Sequence, residues 1–145
     1  MEKLHSALNV QIANWSVLYT KLHRYHWFVK GPHFFTLHEK FEELYNESAS
    51  VVDEVAERLL AIGGTPVATM KEYLTIATLE ETKGESNAEE MVASLADDYK
   101  HLKKELKALA ELSEQHGDDA INDLAVGLLV KLDIHIWMLS AYLGE

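Results

Sequence analysis

Apolar residues recur every three or four positions along four long stretches of this chain, and nowhere do they alternate in the two-residue rhythm of a strand. Such spacing gives each stretch one apolar stripe, and a striped helix is stable only where the stripe is buried against a neighbour. The first stripe runs through Leu4, Leu8, Ile12, Trp15, Leu18 with Tyr19, and Leu22, in a helix expected from Leu4 to about Lys30. Gly31-Pro32 should stop it, because the residue before a proline avoids helical torsions. The second stripe comprises Leu37, Phe41, Leu44, Ser48, Val51 with Val52, Val55, Leu59 and Ile62. It begins at a capping box of Thr36 and Glu39 and ends at Gly63-Gly64. Ser86-Asn87-Ala88-Glu89 reads as another capping box, followed by Met91, Leu95, Leu102, Leu106 and Leu109 up to Gly117. Asp118 or Asp119 caps the last helix, whose core face is expected at Leu124, Leu128, Leu132, Ile136 or His135, and Leu139.

Between the second and third of these helices, Thr65 to Glu85 forms a long crossover in which MKEYLTIATL has room for a short helix. The other two connections are short. The expected fold is all-α, a ferritin-like four-helix bundle with its long crossover between helices 2 and 3, which then run parallel. One domain spanning 1–145 accounts for a chain of 145 residues that is 48% hydrophobic.

Composition narrows the chemistry. There is no cysteine, which excludes disulfides, thiol nucleophiles and sulfur-ligated metals. Any metal must be held by nitrogen and oxygen. A formal net charge of -11 draws cations and argues against direct binding to DNA or to an anionic membrane. Charge interrupts the apolar runs before the roughly 20 residues that span a bilayer, and MEKLHSALNV lacks a signal-type apolar run. A soluble cytoplasmic protein is expected.

The candidate chemistry lies around Gly31-Pro32. His26 stands six residues before Pro32 and His38 six after it, so in an antiparallel hairpin the two imidazoles reach similar height near the bend. His38 and Glu42 are four apart on one helix face, as are Asp53 and Glu57, a spacing that lets two side chains share a cation. Either pair alone reads as readily as a solvated helix surface, and a lone His beside Trp27 as a packed core residue. Asp53, fifteen positions beyond His38, lies about 22 Å farther along the axis yet only about 60° around it. No side chain bridges that gap within one chain. Two identical chains packed about a twofold axis with these helices antiparallel would bring the histidines of one to the carboxylates of the other, completing two equivalent sites. A site within a single chain would use facing Glu-x-x-His motifs. The chain offers only Glu2 with His5, and Asp98 with His101 as the nearest analogue.

The stretches HRYHWFVKGPHFFTLHEKFEELY, DEVAERLLAIGG, GDDAIND and KLDIHIWMLSAYLG resemble the Dps proteins, the mini-ferritins named for DNA protection in starved cells, and most of all those of Gram-positive bacilli. The resemblance spans nearly the whole chain. It implies a homo-oligomeric shell of twelve subunits with a ferroxidase centre at each twofold interface, two iron positions per site, Fe(II) oxidised preferentially by hydrogen peroxide, and ferric mineral stored inside. Carried over by position, the iron ligands are His26 and His38 from one subunit, Asp53 and Glu57 from its mate, and Glu42 where the family often has aspartate. Trp27 matches a tryptophan beside the centre, with a role in radical trapping or in packing. Glu114, Asp119 and Asp123 match acidic residues lining the threefold pores that admit iron. Glu39, Glu43 and Glu47 could form an acidic inner wall for ferric nucleation, or simply a solvated face. The rival functions are a DNA-compacting shell protein and a divalent-metal buffer without turnover. Members that bind DNA commonly use a lysine-rich arm, and only Lys3 precedes the first helix here.

Overall fold

A computed structural model describes all 145 residues, in five α-helices and no strand. They are α1 (Glu2–Phe28), α2 (Phe34–Ala61), α3 (Met70–Ile76), α4 (Ala88–Gln115) and α5 (Asp119–Tyr142). The four long helices are those read from the sequence, and α3 is the short helix within the crossover. The chain divides into two compact units, one of Leu8–Met91 and one of Met1–Ala7 with Val92–Glu145.

In the first unit α1 and α2 run antiparallel. Contacts between Tyr19 and Tyr45, Tyr25 and Phe41, and His26 and His38 keep nearly constant register sums along the pair. The buried face of α2 comprises Leu37, Phe41, Leu44, Ser48, Val51, Val55 and Leu59, each at the spacing that defined the stripe. Its C-terminus closes in a Schellman motif: Gly63 adopts φ +86°, its N–H donates to Leu60 and that of Gly64 to Leu59. The N-terminus departs from expectation. α2 starts at Phe34 after His33, with no side-chain cap, and Thr36 lies exposed within the first turn. Backbone geometry makes the turn instead. Gly31, at φ +107°, accepts from Phe34 N–H, and His33 accepts from Leu37 N–H. The remaining free N–H groups sit at an exposed end, where water can satisfy them.

The crossover is fastened to α1 by two asparagines. Asn9 donates to the Thr65 carbonyl at 3.1 Å and accepts from Val67 N–H at 2.9 Å. Asn14, fully buried, accepts from the N–H groups of Thr78 and Leu79 at 2.7 and 3.0 Å and donates to the Thr78 hydroxyl at 2.8 Å. α3 is capped by Thr69, whose Oγ accepts from Glu72 N–H, while the Glu72 carboxylate accepts from Ala68 N–H and from the Thr69 hydroxyl.

In the second unit α4 and α5 also run antiparallel. Lys103 pairs with Asp133 at 2.7 Å, Tyr99 lies against His135, and Asn122 donates to Ala110. The start of α4, which belongs to the first unit, is capped one residue later than expected: Asn87 accepts from Glu90 N–H at 2.8 Å and donates to its carboxylate. Asp118 caps α5 by accepting from Ile121 N–H at 2.9 Å. The buried face of α5 is Ile121, Ala125, Leu128, Leu132 and Leu139. Leu124 and Ile136, expected in the core, are only half-buried.

α5 is the most apolar of the long helices, its apolar runs still interrupted by Asp123, Lys131 and Asp133 as expected. It holds an 18-residue window of mean hydropathy 1.6, long and apolar enough by composition to cross a membrane, of which 22% is buried. The apolar excess lies on the side away from the buried stripe, where Val126, Val130, Ile134, Trp137 and Met138 are exposed.

Candidate metal half-site

The bend between α1 and α2 brings His26 and His38 into ring stacking, with centroids 3.6 Å apart and planes 15° from parallel. Each ring is oriented by the other residue's backbone. His26 Nδ1 lies 2.6 Å from the carbonyl of His38, and His38 Nδ1 lies 2.7 Å from the carbonyl of His26. A carbonyl only accepts, so each Nδ1 carries the hydrogen and each neutral ring keeps its lone pair on Nε2. That is the tautomer in which imidazole serves as a metal ligand through Nε2, with the second nitrogen fixed by a carbonyl.

Glu42 brings a carboxylate oxygen toward this pair. Its Oε1 stands 3.9 Å from His26 Nε2, and its side chain is 52% exposed against 9% for His26. A bare lone pair and a carboxylate oxygen facing one another repel unless a proton or cation lies between them. Divalent transition metals bind imidazole and carboxylate at about 2.0 to 2.2 Å, so a 3.9 Å separation suits one ion ligated by both at an open angle. The sequence paired Glu42 with His38, four residues away, but the contact made is with His26 across the hairpin.

Aromatic rings enclose the half-site. Tyr45 meets His23 edge-on at 3.9 Å and His26 at 5.3 Å. Burial first, and then the charge of nearby Glu42, with smaller contributions from Tyr19 and from hydrogen bonding to Glu42, push the Tyr45 phenol above its usual pKa. His23 lies between Tyr19 and Trp27, at 4.6 and 5.0 Å, and its buried Nε2 has no hydrogen-bond partner. Burial, and then the neighbouring His26, hold its pKa below 6.5. Neither His23 nor Tyr45 was singled out from sequence, although each sits three residues from an expected ligand, one helical turn away.

The other expected site residues lie elsewhere. Asp53 and Glu57 are exposed farther along α2, and no three His, Asp or Glu side chains of one chain are placed to hold an ion together. On one unbroken helix, fifteen residues place Asp53 about 22 Å along the axis from His38. Trp27 is 64% exposed, with the His23 ring against it at 5.0 Å. Glu39 is exposed and Glu43 is paired with Lys40 at 3.3 Å. Glu114, Asp119 and Asp123 are exposed around the α4–α5 turn, and the capping role falls to Asp118, leaving Asp119 unused by it.

The sequence profile of the ferritin-like domain matches residues 5–145. The chain is 54% identical over 138 residues to DNA protection during starvation protein 2 of Bacillus anthracis, covering 95% of this chain and 94% of that one. It is 52% identical over 143 residues to general stress protein 20U of Bacillus subtilis strain 168, covering 99% of both. The crystal structure of Dps from Staphylococcus aureus superposes with a TM-score of 0.96 at 46% identity, covering 99% of this chain and 96% of that one.

Proposed function

The chain belongs to the Dps group of ferritin-like proteins, and from that premise we propose that it is a cytoplasmic ferroxidase that detoxifies and stores iron. Fe(II) is its substrate, hydrogen peroxide its preferred oxidant, and a dodecameric shell of identical subunits the container for the ferric product. The observation that carries this reading is the fixed tautomer of His26 and His38, which leaves two Nε2 lone pairs, that of His26 facing Glu42, with no intrachain ligand to complete a site. Asp53 and Glu57 of the partner subunit complete it across a twofold axis, giving two iron positions at each interface. The apolar outer stripe of α5 suits a chain whose surface is covered in an assembly.

In this mechanism Glu57 of the partner subunit bridges the two ions and Asp53 of the partner subunit anchors one of them. His26, His38 and Glu42 hold the other. Three carboxylates offset most of the charge of two Fe(II) ions, and the surplus of acidic side chains over the chain concentrates cations near the site. Each Fe(II) gives one electron to peroxide, the O–O bond breaks, and two protons are taken up to yield two waters and two Fe(III). Delivering both electrons in one event releases no hydroxyl radical. Protection of DNA then follows from removing the reactants. Exposed Glu114, Asp119 and Asp123 line pores that admit iron, Trp27 covers the centre at the interface, and Glu39, Glu43 and Glu47 face the growing mineral.

The test is anaerobic loading with Fe(II), then peroxide, on Asp53→Asn and Glu57→Gln shells of normal size. Loss of the fast oxidation phase in both supports the reading, whereas wild-type initial rates in both refute it. A metal buffer without turnover would bind Fe(II) in the wild type and show no stoichiometric oxidation. The net charge of -11 per chain opposes direct DNA binding, and a salt-sensitive gel shift at low ionic strength would reinstate it.

A further inference from the structure

Glu42 is the one expected ligand of the half-site whose orientation its own backbone contacts do not fix. It is half-exposed, and its arm has one more rotatable bond than the aspartate common in the family at this position. The residue that can hold it is Tyr45, one turn along α2. The Tyr45 ring is itself held: it stands edge-on to His23 at 3.9 Å and to His26 at 5.3 Å, and meets Tyr19 edge-on at 5.8 Å. Glu42 lies one turn before Tyr45 on α2, and both side chains border His26: the Tyr45 ring at 5.3 Å from its ring, and Glu42 Oε1 at 3.9 Å from its Nε2.

We propose that Tyr45 is a positioning residue for the metal half-site, its hydroxyl donating to one oxygen of Glu42 so that the other is kept facing His26 Nε2. His23 serves as the packing support of that phenol, which explains an imidazole buried with an unpartnered Nε2 beside the site. A hydrogen bond from a neutral donor to a carboxylate is among the stronger kinds, and it restricts the rotor that aspartate would not have. Without it Glu42 would spend most of its time in solvent, and a metal would have to order it on binding. The inference rests on the ferroxidase reading only for the identity of the half-site. The binding it predicts is independent of turnover.

The test is a titration of the assembled protein with Co(II), a redox-stable probe whose visible bands report nitrogen and oxygen ligation. It is run on wild type, Tyr45→Phe, Glu42→Gln and the double variant, with shell size and helicity checked in each. Tyr45→Phe should weaken Co(II) binding about tenfold in the wild-type background and by less than about twofold in the Glu42→Gln background, since the effect passes through the carboxylate. Glu42→Asp disturbs no ring packing and should also weaken binding, because its shorter arm leaves the Tyr45 hydroxyl behind. Unchanged affinity in Tyr45→Phe, an equal loss with and without Glu42, or unchanged affinity in Glu42→Asp would each overturn the proposal. Failure of the half-site itself looks different: His26→Gly and His38→Gly would then leave the Co(II) bands as in wild type.

Discussion

His26 and His38 orient each other: each imidazole donates through Nδ1 to the other's backbone carbonyl, at 2.6 and 2.7 Å, while the two rings stack at 3.6 Å. The pair works as one unit. The first hydrogen bond fixes the position of the α2 backbone against the ring from α1, and the second does the reverse, so neither ring can turn its Nδ1 outward without giving up its hydrogen bond.

Replacing one histidine should therefore harm the other. In His38→Ala the His26 ring loses its stacking partner, and the carbonyl of His26 loses its donor. We expect metal affinity in the single variants to fall by nearly as much as in the double variant, the non-additivity expected of a coupled unit. Calorimetric titration with Co(II) measures this. Additive losses would show two independent ligands.

Subunit mixing tests the shared site. His26→Gly shells and Glu57→Gln shells are each expected to lack fast oxidation. Dissociated and reassembled together, they should regain part of it, since a mixed twofold pair places both lesions in one of its two sites and leaves the other intact. Native mass spectrometry confirms mixing, and initial oxidation rates give the outcome. No recovery in mixed shells would place all ligands within one subunit.

Asn14 should carry more stability than its size suggests. Asn14→Ala leaves the part-buried N–H of Thr78 and the buried N–H of Leu79 without their acceptor, at a cost of about 2 kcal/mol. Hydrogen exchange should show those two amides losing protection first. Asn14→Asp, which retains an acceptor, should keep more of it. Equal protection of Thr78 and Leu79 in wild type and Asn14→Ala would show that the crossover is held elsewhere.

Stability should fall on mild acidification through His23. Burial, and then His26, lower its pKa below 6.5. The unfolded chain therefore takes up this proton at higher pH than the folded chain. The stabilisation from neutral His23 is fully present above 6.5, and it is lost as pH falls from there through the lowered folded value. His23→Phe keeps an aromatic ring against Tyr45 and removes the titration. Its thermal midpoint should depend less on pH than that of wild type between about pH 7 and 5, a window set by histidine. Parallel pH profiles would contradict the assignment.

Much of this protein was written in local spacing. A stripe at three and four residues settles that a segment is helical and which face is buried, so Leu37 through Leu59 could be assigned to the core from sequence, and seven of those eight positions are buried, Val52 being half-buried. The symmetric placement of His26 and His38 about Pro32 followed from the same arithmetic, because a hairpin turns equal distances along the chain into equal heights. A chain without cysteine likewise limits any metal donors to nitrogen and oxygen.

What only the tertiary structure decided are the choices among partners distant in sequence. Glu42 approaches His26 across the hairpin instead of His38 on its own helix, and Tyr45 and His23 close around them. Asn14 binds backbone groups 64 and 65 residues away. α2 begins on a glycine turn although Thr36 and Glu39 offered a cap, and Asn87, not Ser86, caps α4. The physical reason is that helical periodicity fixes the direction in which a side chain leaves its own axis, whereas a ring's orientation or an amide's partner depends on where a second helix or a crossover presents its polar groups. Those positions are set by packing over the whole unit, and no window of neighbouring residues contains them.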